Sequence, residues 1–233
     1  MASRPVFIPA LEGQALVSTR NLDFQWFAGL SLSQKQKSID ALHQAAHALP
    51  GMDKVLEVSS KSTEPLGVAL SAFNLCFAHS VPGHSLSVEC AFQGSKVFEQ
   101  GGPFTDIYAM TSREAKRDER LRCSGRLTGF EFANVQWPLE PQTAFYDWLY
   151  ISALKHRADL AEPLSAYSAF TDIEFNPQKS INCQAYSVAL FVSLQQRNHL
   201  EQATASPAAF LRYLESRPVV SAQQDDLSQG RLF

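Results

Sequence analysis

The segment Ser87-Val88-Glu89-Cys90-Ala91-Phe92-Gln93-Gly94-Ser95-Lys96-Val97-Phe98 constrains this chain more than any other. Read as a helix, it places Glu89, Gln93 and Lys96 at i, i+4 and i+7 on one face. Val88, Cys90, Ala91, Phe92, Val97 and Phe98 surround that stripe with apolar atoms. A helix apolar on every side but one sits inside a fold, so a core has to form around it. With 45% hydrophobic residues among 233, the chain can build that core. The stripe has two readings. As the solvent edge of the helix, Glu89 and Lys96 are surface charges. As the lining of a pocket, partial burial raises the carboxyl pKa and lowers that of the ammonium, bringing both toward acid/base or Schiff-base chemistry.

Hydrophobic spacing and breakers predict further helices at Ser33 to Ala48, Thr111 to Leu121, Gln142 to Lys155 and Gln184 to Arg197. The first is capped by Ser33, carries Ile39, Leu42, Ala45, Ala46 and Leu49 at helical spacing, and ends at Pro50-Gly51. The helix from Ser87 is expected to run to about Gln100, where Gly101-Gly102-Pro103 closes it. Val55 to Ser59 and Leu127 to Phe132 read as strands, Leu66 to Leu75 as strand or loop, and Pro82-Gly83-His84 as a turn. Residues 1–30 read as an extended arm anchored by Phe24, Trp26 and Phe27. The expectation is a helix-dominated α+β single domain with a few short strands. Its parts are an N-terminal extension packed on the core over 1–60, a core domain over 61–215 and a polar tail over 216–233.

Composition narrows the function classes. A net charge of −3 argues against bulk electrostatic coating of nucleic acid. The segment from Arg113 to Arg126 nevertheless carries six basic and three acidic residues, a local +3 that leaves −6 for the rest. It reads as a solvated face with internal ion pairs, or as a surface for phosphates in which Arg113, Lys116, Arg117 and Arg120 are the candidates. No apolar run is long enough to span a bilayer, and the N-terminus lacks the apolar stretch of a signal peptide, so a soluble cytoplasmic protein is expected. Cys76, Cys90, Cys123 and Cys183 lack metal-ligand spacing and read as reduced thiols. His43 and His47, at i and i+4, lack the Glu of a zincin motif and read as helix surface, and no metal or organic cofactor is implied.

The pairing of Ser71-Ala72-Phe73-Asn74-Leu75 with Ser87, Glu89, Phe92, Gln93, Lys96 and Phe98 resembles the NADAR (YbiA-like) superfamily. The resemblance continues through Trp137, Thr171-Asp172-Ile173-Glu174-Phe175 and Ser180-Ile181-Asn182-Cys183, over roughly residues 60–200. The wording around Glu89, Trp137-Pro138-Leu139-Glu140-Pro141 and Asp172 is similar to the subgroup of antitoxins found beside DarT-type DNA ADP-ribosyltransferases. That resemblance implies a hydrolase removing ADP-ribose from guanine bases of DNA, single-stranded in the expected substrate, with ADP-ribose as product and the cognate toxin as a partner. In such a reaction Glu89 is the carboxylate that stabilises an oxocarbenium-like state or activates water, and Asp172 a second acidic residue. An exposed strand edge shared by Asp172 and Glu174 is the alternative. Lys96 serves as acid, diphosphate ligand or Schiff-base former, and Gln93 orients a hydroxyl or the water. Phe73 and Trp137 are candidate stacking faces or core, while Ser71, Asn74 and Asn182 are candidate polar contacts or turn residues. Two other readings stand beside this one: an N-glycosidase on a riboflavin-pathway intermediate, and a non-catalytic module that binds ADP-ribose or only contacts the toxin.

Overall fold

The computed structural model describes residues 1–77 and 85–216; the turn expected at 82–84 and the tail beyond Ser216 lie outside them. In chain order the strands are β1 (Ala2–Pro9), β2 (Val17–Phe24), β3 (Val55–Glu57), β4 (Lys96–Phe98), β5 (Leu127–Phe132), β6 (Val135–Trp137) and β7 (Ala169–Thr171). The α-helices are α1 (Leu32–His47), α2 (Pro65–Ala69), α3 (Val88–Gly94), α4 (Ser112–Ala115), α5 (Arg120–Cys123), α6 (Ala144–Lys155), α7 (Ala158–Ala161), α8 (Gln184–Gln196), α9 (Leu200–Thr204) and α10 (Pro207–Glu215). The fold is helix-dominated α+β, as expected from the sequence. No helix among the described residues is long and apolar enough to cross a membrane.

Residues 1–30 form a β-hairpin rather than an extended arm, with β1 antiparallel to β2 from Ala2↔Phe24 to Pro9↔Val17. Pro5 and Pro9 hid it, because proline removes a ladder donor. They are tolerated because β1 meets β7 only at Phe7↔Phe170, so few of its outward amides are needed. β7 runs parallel to β3, giving the order β2-β1-β7-β3. Helices cover both faces of this sheet. Val6, Val55 and Ala169 pack with Ile39, Leu42 and Ala46 of α1, while their neighbours Phe7, Leu56 and Phe170 join the core built on α6 and α8. β1 is buried on both faces only around Val6 and Phe7, and β7 is three residues long and ends where the strand expected around Asp172 would begin, so neither shows a period.

The second sheet has the order β4-β5-β6, and β5 keeps the bounds expected of it. Phe92, Phe130, Phe145, Trp137 and Trp148 fill the space between α3, this sheet and α6, with Phe130 and Phe145 stacked at 4.6 Å. α6 and α8 are buried on nearly every side rather than on one face. Leu66 to Leu75 holds α2 and a turn, not a strand. The helix expected over Thr111 to Leu121 is two short ones, the first closed by a capping box between Thr111 and Glu114. Ser31, not Ser33, caps α1.

Gly67 seats α2 on the end of β3: a Cβ there would lie 2.0 Å from the Glu57 carbonyl oxygen and 2.4 Å from Ser62 Oγ. Replacing it by alanine gains about 1 kcal/mol of helix propensity but drives a methyl into backbone, and overpacking of this kind costs about 2 kcal/mol or more. Gly67→Ala is therefore expected to lower the urea midpoint. A midpoint equal to or above wild type would show that α2 can move away from β3 freely.

Candidate functional site

The first turn of α3 is fixed before its side chains come into play. Ser87 Oγ accepts from Cys90 N at 3.1 Å, and the amides of Val88 and Glu89 donate to the carbonyls of Leu75 and Ala72, both at 2.9 Å. This stitches the 71–75 turn to the start of the helix. Gln184 of α8 holds it from behind through a 2.8 Å bond from Ala72 N to Gln184 Oε1. All seven residues of α3 are buried, Glu89 at 6% and Gln93 at 8% exposure, so the polar stripe is not a solvent edge. It faces a cleft of about 1110 Å³.

Lys96 reaches that stripe from a strand. The helix stops at Gly94, six residues before the expected end, and the chain passes at once into pairing with β5 as Lys96↔Phe130. The row survives the change of element. Lys96 Nζ donates to Gln93 Oε1 at 2.7 Å, and Gln93 Nε2 donates to Glu89 Oε1 at 2.9 Å. A cation at one end and a carboxylate at the other fix which way the amide points. Burial lowers the Lys96 pKa to about 8 against the raising effect of Glu89, and Lys116 pushes it down further.

Asp172 does not share an exposed strand edge with Glu174. β7 ends at Thr171 and the chain turns, with Asp172 Oδ1 accepting from the amides of Glu174 and Phe175 at 2.9 and 3.2 Å. Both line the cleft, but Asp172 is 6% exposed whereas Glu174 is exposed and ion-paired to Lys35 at 2.9 Å. Burial drives the Asp172 carboxyl well above the ordinary range, and the nearby charge of Glu57 drives it further.

Of the other expected site residues, Ser71, Phe73, Asn74, Asn182, Arg113 and Lys116 line the cleft. Lys116 Nζ sits 5.2 Å from the half-buried Phe73 ring. Trp137 is corrected to core: it is 3% exposed and packs on Phe145 and Trp148 at 5.4 and 5.0 Å. Arg117 and Arg120 do not reach the cleft. The Arg120 guanidinium is gripped by Asp106 and Asp118, each at 2.7 Å, so the basic segment is part ion-paired surface and part cleft wall. His43 is not helix surface; its Nε2 lies 2.9 Å from Thr171 Oγ1, and burial lowers its pKa to about 4. Among the described residues no group of three His, Cys, Asp or Glu side chains has a metal-holding arrangement.

Tyr146, Lys61 and Lys179 also line the cleft and had no sequence signal. Tyr146 lies on a helix buried all round, so no polar stripe marks it, and the lysines sit in loops without periodicity. Burial and the charge of Glu89 raise the Tyr146 phenol, which keeps it a neutral hydrogen-bond donor. The cleft thus carries five cations, Lys61, Lys96, Arg113, Lys116 and Lys179, against four carboxyls, in a chain whose net charge is −3.

Residues that carry the NADAR resemblance, Ser71, Phe73, Asn74, Glu89, Gln93, Lys96, Asp172 and Asn182, all line this one cleft of a helix-dominated α+β domain. A family model described as the DarT1-associated NADAR antitoxin matches residues 2–224, and the chain belongs to that family of antitoxins. No curated protein matches it.

The opposing influences on Lys96 give a test of the row. The rate of acylation at Lys96, followed by peptide mass spectrometry against pH, is expected to show a midpoint near 8. Glu89→Gln should move that midpoint down and Lys116→Met should move it up, since one removes a stabilising anion and the other a repelling cation. Shifts of the same sign would mean that the two side chains do not act on the amine by charge.

Proposed function

We propose that this chain is a hydrolase that removes ADP-ribose from guanine bases of DNA and so reverses the product of a DarT1-type toxin. The observation that carries the reading is the Glu89–Gln93–Lys96 row, which ends in an amine with a pKa of about 8 and shares one cleft with Asp172, whose carboxyl burial holds well above the ordinary range. Family membership supports the antitoxin role. Arg113, Lys116, Lys61 and Lys179 provide cations for a diphosphate, and Phe73 provides a ring face for a base.

In this reading the bond between the guanine nitrogen and ribose C1″ breaks with its electrons going to the base, which takes a proton from Asp172. Glu89 stabilises the positive charge that develops at C1″. The free amine of Lys96 adds to C1″ and returns its surplus proton to Asp172. Opening of the ribose ring then gives a Schiff base, which water hydrolyses to ADP-ribose and the free lysine. The net reaction consumes one water, and every protein group returns to its starting state.

The test is incubation of the purified protein with guanine-ADP-ribosylated single-stranded DNA, thymine-ADP-ribosylated DNA and ADP-ribosylated protein, following free ADP-ribose. Release from the guanine adduct is expected. Glu89→Gln should cut the rate by about 100-fold or more while leaving ADP-ribose binding in place. Borohydride added during turnover should link ADP-ribose to Lys96. No release from the guanine adduct at stoichiometric protein would overturn the reading.

A further inference from the structure

Glu57 and His43, which take no part in the reaction above, meet at Thr171 beside Asp172. Glu57 is 1% exposed at the end of β3 and accepts three hydrogen bonds: from Ser59 Oγ at 2.6 Å and Ile173 N at 2.8 Å on Oε1, and from Thr171 Oγ1 at 2.7 Å on Oε2. Thr171 and Ile173 flank Asp172, so one carboxylate grips the chain on both sides of it. The single hydroxyl proton of Thr171 goes to Glu57. His43 Nε2, 2.9 Å from the same oxygen, is then the donor of its pair and carries the ring proton.

Burial raises both the Glu57 and the Asp172 carboxyl, and the charge of Glu57 raises Asp172 further, so an ionised Glu57 disfavours a second anion beside it. The hydrogen bonds decide which one keeps the proton. A proton on Glu57 would set a hydroxyl against Thr171 Oγ1 or Ser59 Oγ, and that side chain would have to turn its own proton elsewhere. Asp172 takes its two amide donors on Oδ1, and among the described residues Oδ2 meets the Cys183 thiol at 4.0 Å, so Oδ2 accepts a proton without losing a strong bond. The remaining groups around the pair are Arg4 on β1, whose charge acts on Asp172 and Glu174 and favours their anions; Glu174, ion-paired to Lys35, whose negative charge raises both carboxyls; Tyr146 and Tyr150 on α6; and His43, whose pKa burial lowers to about 4.

We propose that Glu57 is a positioning residue for Asp172, fixing its backbone from both sides and, as the resident anion of the buried pair, leaving the pair's proton on Asp172 Oδ2 at the cleft. This deepens the reaction proposed above, and only its catalytic consequence rests on that reading. Without Glu57, Asp172 would ionise more readily and fail to protonate the leaving base at neutral pH.

Carboxyl carbon NMR of the free protein, with Asp172→Asn assigning the resonance, tests the placement of the proton without any substrate. Asp172 is expected to remain protonated through neutral pH in the wild type, and its midpoint to fall by about one pH unit or more in Glu57→Gln. Ser59→Ala, which removes one donor from Glu57, should produce a smaller fall in the same direction and decides the matter if Glu57→Gln does not fold. On the guanine adduct, the alkaline limb of kcat/KM should move down with the Asp172 midpoint. An unmoved Asp172 midpoint, a proton on Glu57 in the wild type, or a uniform rate loss with the alkaline limb in place would overturn the proposal. A protein that releases no ADP-ribose yet shows the NMR shifts would defeat the reaction and leave the placement of the proton standing.

Discussion

Burying Glu89 and Gln93 on a helix with no exposed residue is the constraint from which much of this structure follows. A buried polar side chain left without a partner costs about 1–3 kcal/mol, and more if charged, so a seven-residue helix could not hold two of them unaided. Gln93 resolves this by donating to Glu89 and accepting from Lys96. Lys96 must then stand within reach of the end of α3, which fixes where β4 begins and hence how the β4-β5-β6 sheet meets the helix. The same requirement makes Gly94 obligatory. The turn from helix to strand runs so close to Tyr108 that no side chain fits.

The opposite wall depends on a second buried carboxyl. β3 and β7 are only three residues long, and so short a parallel pair needs support beyond its ladder. Glu57 supplies it by bonding to Thr171 on the partner strand and to Ile173 beyond the strand end. The carboxyl ends of β3 and β7 therefore open toward the cleft with Asp172 held in a fixed turn. Crevices at the carboxyl ends of parallel strands are where α/β sheets commonly place ligands. The N-terminal hairpin enters the same construction from outside, since Phe7 of β1 packs against Tyr186 of α8 at 5.7 Å and Arg4 bears electrostatically on Asp172.

What the sequence revealed and what it hid divide along a physical line. Period-3.6 spacing located α1, α6 and α8, and alternation located β5, because these patterns survive wherever an element has the length to show them. The Glu89 helix announced its burial through composition, yet its end was misread. Gly94 and Ser95 are mild helix breakers by propensity, and the chain passes from the helix at once into tertiary pairing with β5. Trp137 illustrates the reverse error: an aromatic beside a proline and a long helix offers the same sequence signal whether it stacks on a ligand or, as here, on Phe145 and Trp148. Glu57 could not be singled out at all. A lone Glu in Val-Leu-Glu-Val-Ser becomes significant only when the fold brings Thr171 and Ile173 to it from more than a hundred residues away.

One cause, removal from water, tunes both reacting groups in the proposed chemistry, and it does so in opposite senses. It destabilises the ammonium of Lys96 and the carboxylate of Asp172 alike, leaving a neutral amine and a neutral acid accessible together near neutral pH. A diphosphate entering the cleft would upset this balance, because its negative charge favours the protonated amine and would remove the nucleophile. The cations on the cleft wall answer that difficulty. Lys116 already lowers the Lys96 pKa in the free protein, and Arg113, Lys61 and Lys179 line the same cleft and would offset the charge of a phosphate in the proposed complex. In the proposed chemistry, a chain with an overall charge of −3 would thus keep positive charge where a bound anion would otherwise disable the lysine.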